Sequence, residues 1–259
     1  MIDKNIERVV VKDLSKEFCV ELRTPKKALE KFVSFFSGKK DEKIIKALSK
    51  VSFSVKAGKN LGVIGKNASG KSTLLRNVAG IYSADEGKIS IHGRLLYLTS
   101  FGQGLKPQLT MRENIYLLGA IMGLSQRDIK ERFEEIVEFS GLKNFVDMRV
   151  KKFSTGMVAR LNFAIGIYCM KHHNPDILLL DEVFISGGDF NFRVKAINKI
   201  EELIMGGASV IIVSHDFNLI KKYCDEVIWL ENGKIMRQGD PTKVVEAYLD
   251  SLKSMKDSV

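Results

Sequence analysis

Two kinds of apolar pattern alternate along the chain. Short runs at Val9–Phe18, Val51–Val55, Asn60–Ile64, Ile177–Leu180, Ser209–Val213 and Val227–Leu230 have the length and composition of strands. Between the later runs lie helical or turn sequences. Thr110-Met-Arg-Glu113 and Ser125-Gln-Arg-Asp128 read as capping patterns, a hydroxyl followed three residues on by an acid, and predict a helix-rich stretch from about Thr110 to Phe139. Such alternation predicts an α/β core around a buried parallel sheet. Thr24 and Pro25 open another helical run, in which Ala28, Leu29, Phe32, Val33 and Phe36 share a face before Gly38 ends it. This amphipathic helix would reach about 18 Å, enough to lie on a membrane or a partner but not to span about 30 Å of hydrocarbon. Pro241 to about Leu252 reads as a surface helix with a polar tail behind it. The pattern contains no internal repeat, low-complexity tract or heptad coiled coil.

A chain of 259 residues can bury a sizeable core. No apolar run approaches the roughly 20 residues of a membrane-spanning helix, and the start, Met1-Ile-Asp-Lys-Asn-Ile-Glu-Arg8, lacks the basic-then-apolar design of a secretory signal. The expectation is a cytosolic protein. Cys19, Cys169 and Cys224 are scattered and odd in number, which suggests neither a disulfide framework nor a zinc site, and they are expected to be buried small hydrophobes. The formal charge of +10 is concentrated: between Arg23 and Lys50 nine basic residues stand against three acids. The basic excess is therefore a local feature.

Three constellations carry chemistry. Gly65-Lys66-Asn67-Ala68-Ser69-Gly70-Lys71-Ser72-Thr73 fits G-x-x-x-x-G-K-S/T between an apolar strand and a helical run. Glycines there let backbone N–H groups turn toward phosphate oxygens, Lys71 meets the β- and γ-phosphates, and the Ser72 hydroxyl serves magnesium. Ile177-Leu-Leu-Leu-Asp181-Glu182 delivers two carboxylates at a strand end, where α/β ligand sites lie. Asp181 suits the magnesium shell, directly or through water; Glu182 suits orienting or deprotonating the attacking water. A strand ending in solvated acids is the plain alternative, and the phosphate loop displaces it. Val213-Ser-His-Asp216 places His215 at another strand end, to touch a γ-phosphate or to serve as an ordinary surface residue.

With Phe153-Ser-Thr-Gly-Met157 upstream of Asp181, these segments resemble the ABC transporter ATPase family over nearly the whole chain. The resemblance implies an α/β fold: a P-loop ABC-type nucleotide-binding domain with a RecA-like core, an antiparallel β subdomain and a helical subdomain. It implies one domain over 1–252, with a basic helical insertion at 24–50, the helical subdomain at about 102–160, and a polar tail at 253–259. ATP and Mg2+ are the implied cofactors. Ser154 and Gly156, retained although the pentapeptide departs from L-S-G-G-Q, would contact the γ-phosphate of ATP held by a second copy, and Phe18 would stack on adenine.

The segments Phe153 to Ala164, Gly104 to Ile115 and Ser214 onward look like the cassettes that export bacterial polysaccharides: O-antigen, capsule or teichoic acid. That resemblance implies an ATPase peripheral on the inner face of the cytoplasmic membrane, a separate transmembrane permease, a lipid-linked glycan as cargo, and no nucleic-acid partner. An ABC ATPase for another exported substrate, an ABC factor acting on ribosomes or nucleic acid, and a nucleotide-sensing module are the competing readings. Three departures stand out. Phe101 occupies the place of the family's magnesium-contacting glutamine, with Gln103 two positions later. The Val183 to Gly188 stretch before Asp189 is one residue longer than the common pattern. Lys171-His-His-Asn174 adds polar length, read as a solvated loop in preference to a metal site.

Overall fold

A computed structural model describes residues 6–21, 42–98, 104–169, 175–181 and 189–256. Two sheets share the frame. The smaller is antiparallel, in the order β2 (Glu42–Lys56), β1 (Glu7–Glu21), β4 (Glu86–Ile91). The larger has the order β5 (Leu95–Leu98), β6 (Ile177–Leu180), β7 (Ser209–Val213), β3 (Asn60–Ile64), β8 (Glu226–Glu231), β9 (Lys234–Gly239). All its neighbours pair in parallel except β8 and β9. Those two are joined by Asn232-Gly233, both at positive φ, the conformation a two-residue hairpin turn demands.

Every residue of β3, β6 and β7 is buried, as expected for strands covered on both faces. The period of two sorts their side chains. Ile177, Leu179, Ile211 and Val213 face the antiparallel sheet and the helix α1 (Lys71–Val78), packing with Val9, Val55, Leu74 and Leu75. Leu178, Leu180, Val210 and Ile212 face the other way, onto α5 (Phe190–Met205), α6 (Phe217–Tyr223) and α7 (Pro241–Lys256). A third cluster lies among α2 (Met111–Ile121), α3 (Gln126–Ser140) and α4 (Thr155–Tyr168), around Met111, Ile115, Ile136 and Leu161. The patterns at Thr110 and Ser125 form reciprocal capping boxes: each hydroxyl accepts from the backbone N–H three residues on, and Glu113 and Asp128 accept in return.

Several expectations change. The helical insertion expected at 24–50 does not include 42–50, because Glu42 to Lys50 is the first half of β2, held by antiparallel pairing to β1 from Val20↔Lys43 to Leu14↔Val51. The Pro25–Phe36 helix lies outside the described residues. The final helix continues to Lys256, past the expected start of the polar tail. Strands β4, β5 and β9 have no counterpart among the runs expected from the sequence. Cys169 and Cys224 are buried, which pushes their thiols up to about 11 and about 12, but Cys19 is exposed. Among the described residues no helix is long and apolar enough to cross a membrane.

Leu178 is fully buried at the centre of this arrangement. Leu178→Ala is expected to lower the unfolding free energy by about 2–5 kcal/mol, read from the shift in urea midpoint at unchanged slope. A loss well under 1 kcal/mol would contradict the packing of β6 between two layers.

Candidate active site

Strand β3 delivers the chain into a tight loop that turns at once into α1, and backbone crowding dictates its glycines. Gly65 has φ 150°, and a side chain there would lie 2.0 Å from the carbonyl oxygen of Leu230. Gly70 has φ 107°, and a Cβ would meet the Ala47 carbonyl at 2.5 Å. The loop is wedged between β2 and the β8–β9 turn: Gly233 N–H donates to the Ser69 carbonyl (3.0 Å), and Ser49 N–H to that of Gly233 (2.8 Å).

The start of α1 differs from the other helices. Helices α2 to α6 carry side-chain caps from Thr110, Ser125, Ser154, Asp189 and Asp216, and Asp240 accepts from Lys243 N–H in the first turn of α7. Gly70 supplies none to α1, whose first turn also lacks an acid. The N-terminal amides and their dipole are thus directed at the loop, a setting for an anion. Lys71, almost fully buried, folds its ammonium into the loop and donates to the carbonyls of Gly65 and Lys66, both at 2.8 Å. The buried Ser69 Oγ has no hydrogen-bond partner among the described residues, an orphan that a phosphate oxygen would satisfy.

Asp181, at the C-terminal end of β6, is 5% exposed. Ser72 Oγ donates to its Oδ1 at 3.4 Å, and Tyr97 Oη on β5 donates to its Oδ2 at 3.2 Å. Burial, then the Asp181 charge, push the Tyr97 phenol up to about 12, so at neutral pH it remains a donor. The hydroxyl–carboxylate pair offers hard oxygens beside the anion cradle, the donor set Mg2+ takes when phosphates and water complete its shell.

A groove of about 580 Å³ runs along the loop, lined by Asn67, Ala68, Ser69, Gly70, Lys71, Ser72 and Thr73, and closed on one side by Phe18 and Asn232. Phe18 is half-buried, edge-on to Tyr82 at 5.3 Å, with the Lys16 ammonium 5.5 Å from its ring. His215, exposed after β7, brings Nε2 within 3.2 Å of Asn67 Oδ1. Ser154 and Gly156 do not line the groove; Ser154 caps α4 at an exposed position and accepts from Met157 N–H. Asp189 caps α5 and pairs with Arg160 of α4 at 3.3 Å. Glu182, Phe101, Gln103, His172 and His173 lie outside the described residues. Sequence reasoning missed Tyr97 and its neighbours Arg76 and Tyr82; the aromatic in Leu95-Leu-Tyr-Leu98 was the available signal.

Residues 48–184 match the family described as ABC transporter. The O-antigen export system ATP-binding protein RfbB of Myxococcus xanthus is 33% identical over 254 residues, 96% of this chain and 57% of that protein. RfbB of Klebsiella pneumoniae is 36% identical over 80% of this chain and 82% of its own length. The teichoic acids export ATP-binding protein TagH of Lactococcus lactis is 37% identical over 95% of this chain, which spans 52% of TagH. Among solved structures, the ATP-binding cassette MJ0796, dimeric and bound to ADP and Pi, superposes with a TM-score of 0.70 at 22% identity, over 90% of this chain and 98% of that one. An ATP-binding subunit of an ABC transporter gives 0.71 at 22%, over 95% and 98%. At these identities the structures establish the fold.

The buried ammonium generates a direct expectation. Lys71→Ala should weaken binding of a fluorescent ATP analogue by at least about 100-fold, the effect of losing two charge-assisted hydrogen bonds at about 1.5–3 kcal/mol each. Affinity within about threefold of the unmodified chain, roughly the 0.6 kcal/mol scale of thermal energy, would contradict a phosphate cradle at this loop.

Proposed function

The chain belongs to the ABC transporter family of ATP-binding proteins, and on that premise we propose that it is the ATP-hydrolysing subunit of an exporter that moves a lipid-linked polysaccharide across the cytoplasmic membrane. The observation that carries the ATPase reading is the approach of Ser72 to Asp181 beside an uncapped helix start, which gathers an anion cradle and a cation's oxygen donors into one groove. The cargo reading is supported by the relatives, whose names assign them to O-antigen and teichoic acid export.

Each residue then has a task. Amides of Gly65 to Thr73 and the Lys71 ammonium hold the phosphates; Phe18, at the groove's edge, meets the adenine. Ser72 and Asp181 would hold Mg2+, which when bound would neutralise charge developing on the transferred phosphoryl group. Glu182 follows Asp181 and orients the attacking water, and His215 reaches the γ-phosphate from the side where it already meets Asn67.

Ser154 and Gly156 complete the site from a second copy. The start of α4 presents backbone donors at an exposed position away from its own groove, so it can serve a nucleotide held by the facing subunit. Two copies would enclose two nucleotides head to tail. ATP closes the pair only through contacts that exist in the closed state, and moving a two-state balance from 1:99 to 99:1 requires about 5.5 kcal/mol of such preference. Opening after hydrolysis would drive a separate transmembrane permease, with this subunit peripheral on the inner face of the membrane.

The export reading is tested in the source cell by replacing the native copy with Glu182→Gln. The expected result is a finished lipid-linked glycan accumulating on the inner side of the cytoplasmic membrane, with loss of that polymer outside. No change in any glycan pool would overturn the polysaccharide assignment.

A further inference from the structure

Asp181 has two carboxylate oxygens, and only one of them faces the groove's hydroxyl. Ser72 engages Oδ1, whereas Oδ2 accepts from the Tyr97 hydroxyl at 3.2 Å. Sheet register creates that second contact. Tyr97 pairs with Leu179 across the parallel β5–β6 ladder, and Asp181, two residues beyond Leu179, lies on the same face. A tyrosine is long enough to reach forward along the strand to that carboxylate.

Arg76 stands four residues after Ser72 on α1, hence on the same helix face. Arg76 also donates to Tyr82 Oη at 3.2 Å, and Tyr82 packs edge-on against Phe18 at 5.3 Å. These contacts tie the aromatic at one end of the groove to the helix that carries Ser72.

Resting on the Mg2+–nucleotide reading above, we propose that Tyr97 is a positioning residue for the metal site: its hydroxyl holds Oδ2 of Asp181 and so turns Oδ1 toward Ser72 and the cation. Tyr97 touches neither nucleotide nor metal in this role. Partners that orient a ligating carboxylate typically contribute about 10–100-fold in metal affinity. Phenylalanine at 97 keeps the ring that packs among the strand residues and removes only the hydroxyl, so the substitution isolates the orienting contact.

The probe is Mn2+ in place of Mg2+, titrated into the full chain saturated with ADP and followed by electron paramagnetic resonance. Tyr97→Phe is expected to raise the Mn2+ dissociation constant about tenfold while leaving metal-free ADP affinity within about twofold of the parent. In an Asp181→Asn background, the same substitution should add little, since the two act through one contact. Unchanged Mn2+ affinity in Tyr97→Phe would overturn the proposal, as would an undiminished loss in the Asp181→Asn background. Failure of the parent chain to bind Mn2+ with ADP at all would instead strike the metal–nucleotide reading beneath it.

Discussion

A hydroxyl on the first turn of α1 and a buried carboxylate at the end of β6 stand 3.4 Å apart, and the rest of the site is arranged around that approach. Bringing a carboxylate to a position only 5% exposed is unfavourable unless its oxygens are engaged. Ser72 and Tyr97 provide that engagement from two different elements. Their positions depend on the parallel ladder that fixes β5 against β6, and on the packing of Leu74 and Leu75 that seats α1 on the sheet. The apolar core thus acts in the chemistry by setting distances. Burial of β3, β6 and β7 on both faces leaves their C-terminal ends as the place where polar groups from several strands converge.

The phosphate loop was legible in the sequence because its motif states its own context, strand before and helix after. The α/β class was legible from fully apolar runs such as Ile177–Leu180 and Val210–Val213, and the capping boxes from Thr110–Glu113 and Ser125–Asp128. The first half of β2 was not. Lys43-Ile-Ile-Lys-Ala-Leu48 has no clean period of two, and what makes it a strand is its pairing with β1, some 25 residues away by the register. β4 has no fully buried residue and β5 has only four residues, too short for a periodic signal. Tyr97 drew no reading from the sequence, because its link to Asp181 exists only once β5 and β6 are in register.

The two halves of the proposed composite site sit on different parts of one subunit. The groove belongs to the junction of the two sheets, whereas Ser154 belongs to the start of α4, among the helices packed around Met111 and Leu161. Arg160 on α4 pairs with Asp189 at the start of α5, joining the two regions on the stretch of chain that follows Glu182.

The central claim is that two copies close over ATP, each completing the other's site. The most direct test is light scattering of the Glu182→Gln chain, in which hydrolysis is blocked, with and without ATP and Mg2+. The account predicts a 29.1 kDa monomer that doubles its mass when ATP and Mg2+ are both present, and fails to do so once Ser154 is replaced by Arg. A chain that stays monomeric at saturating ATP and Mg2+ would contradict it.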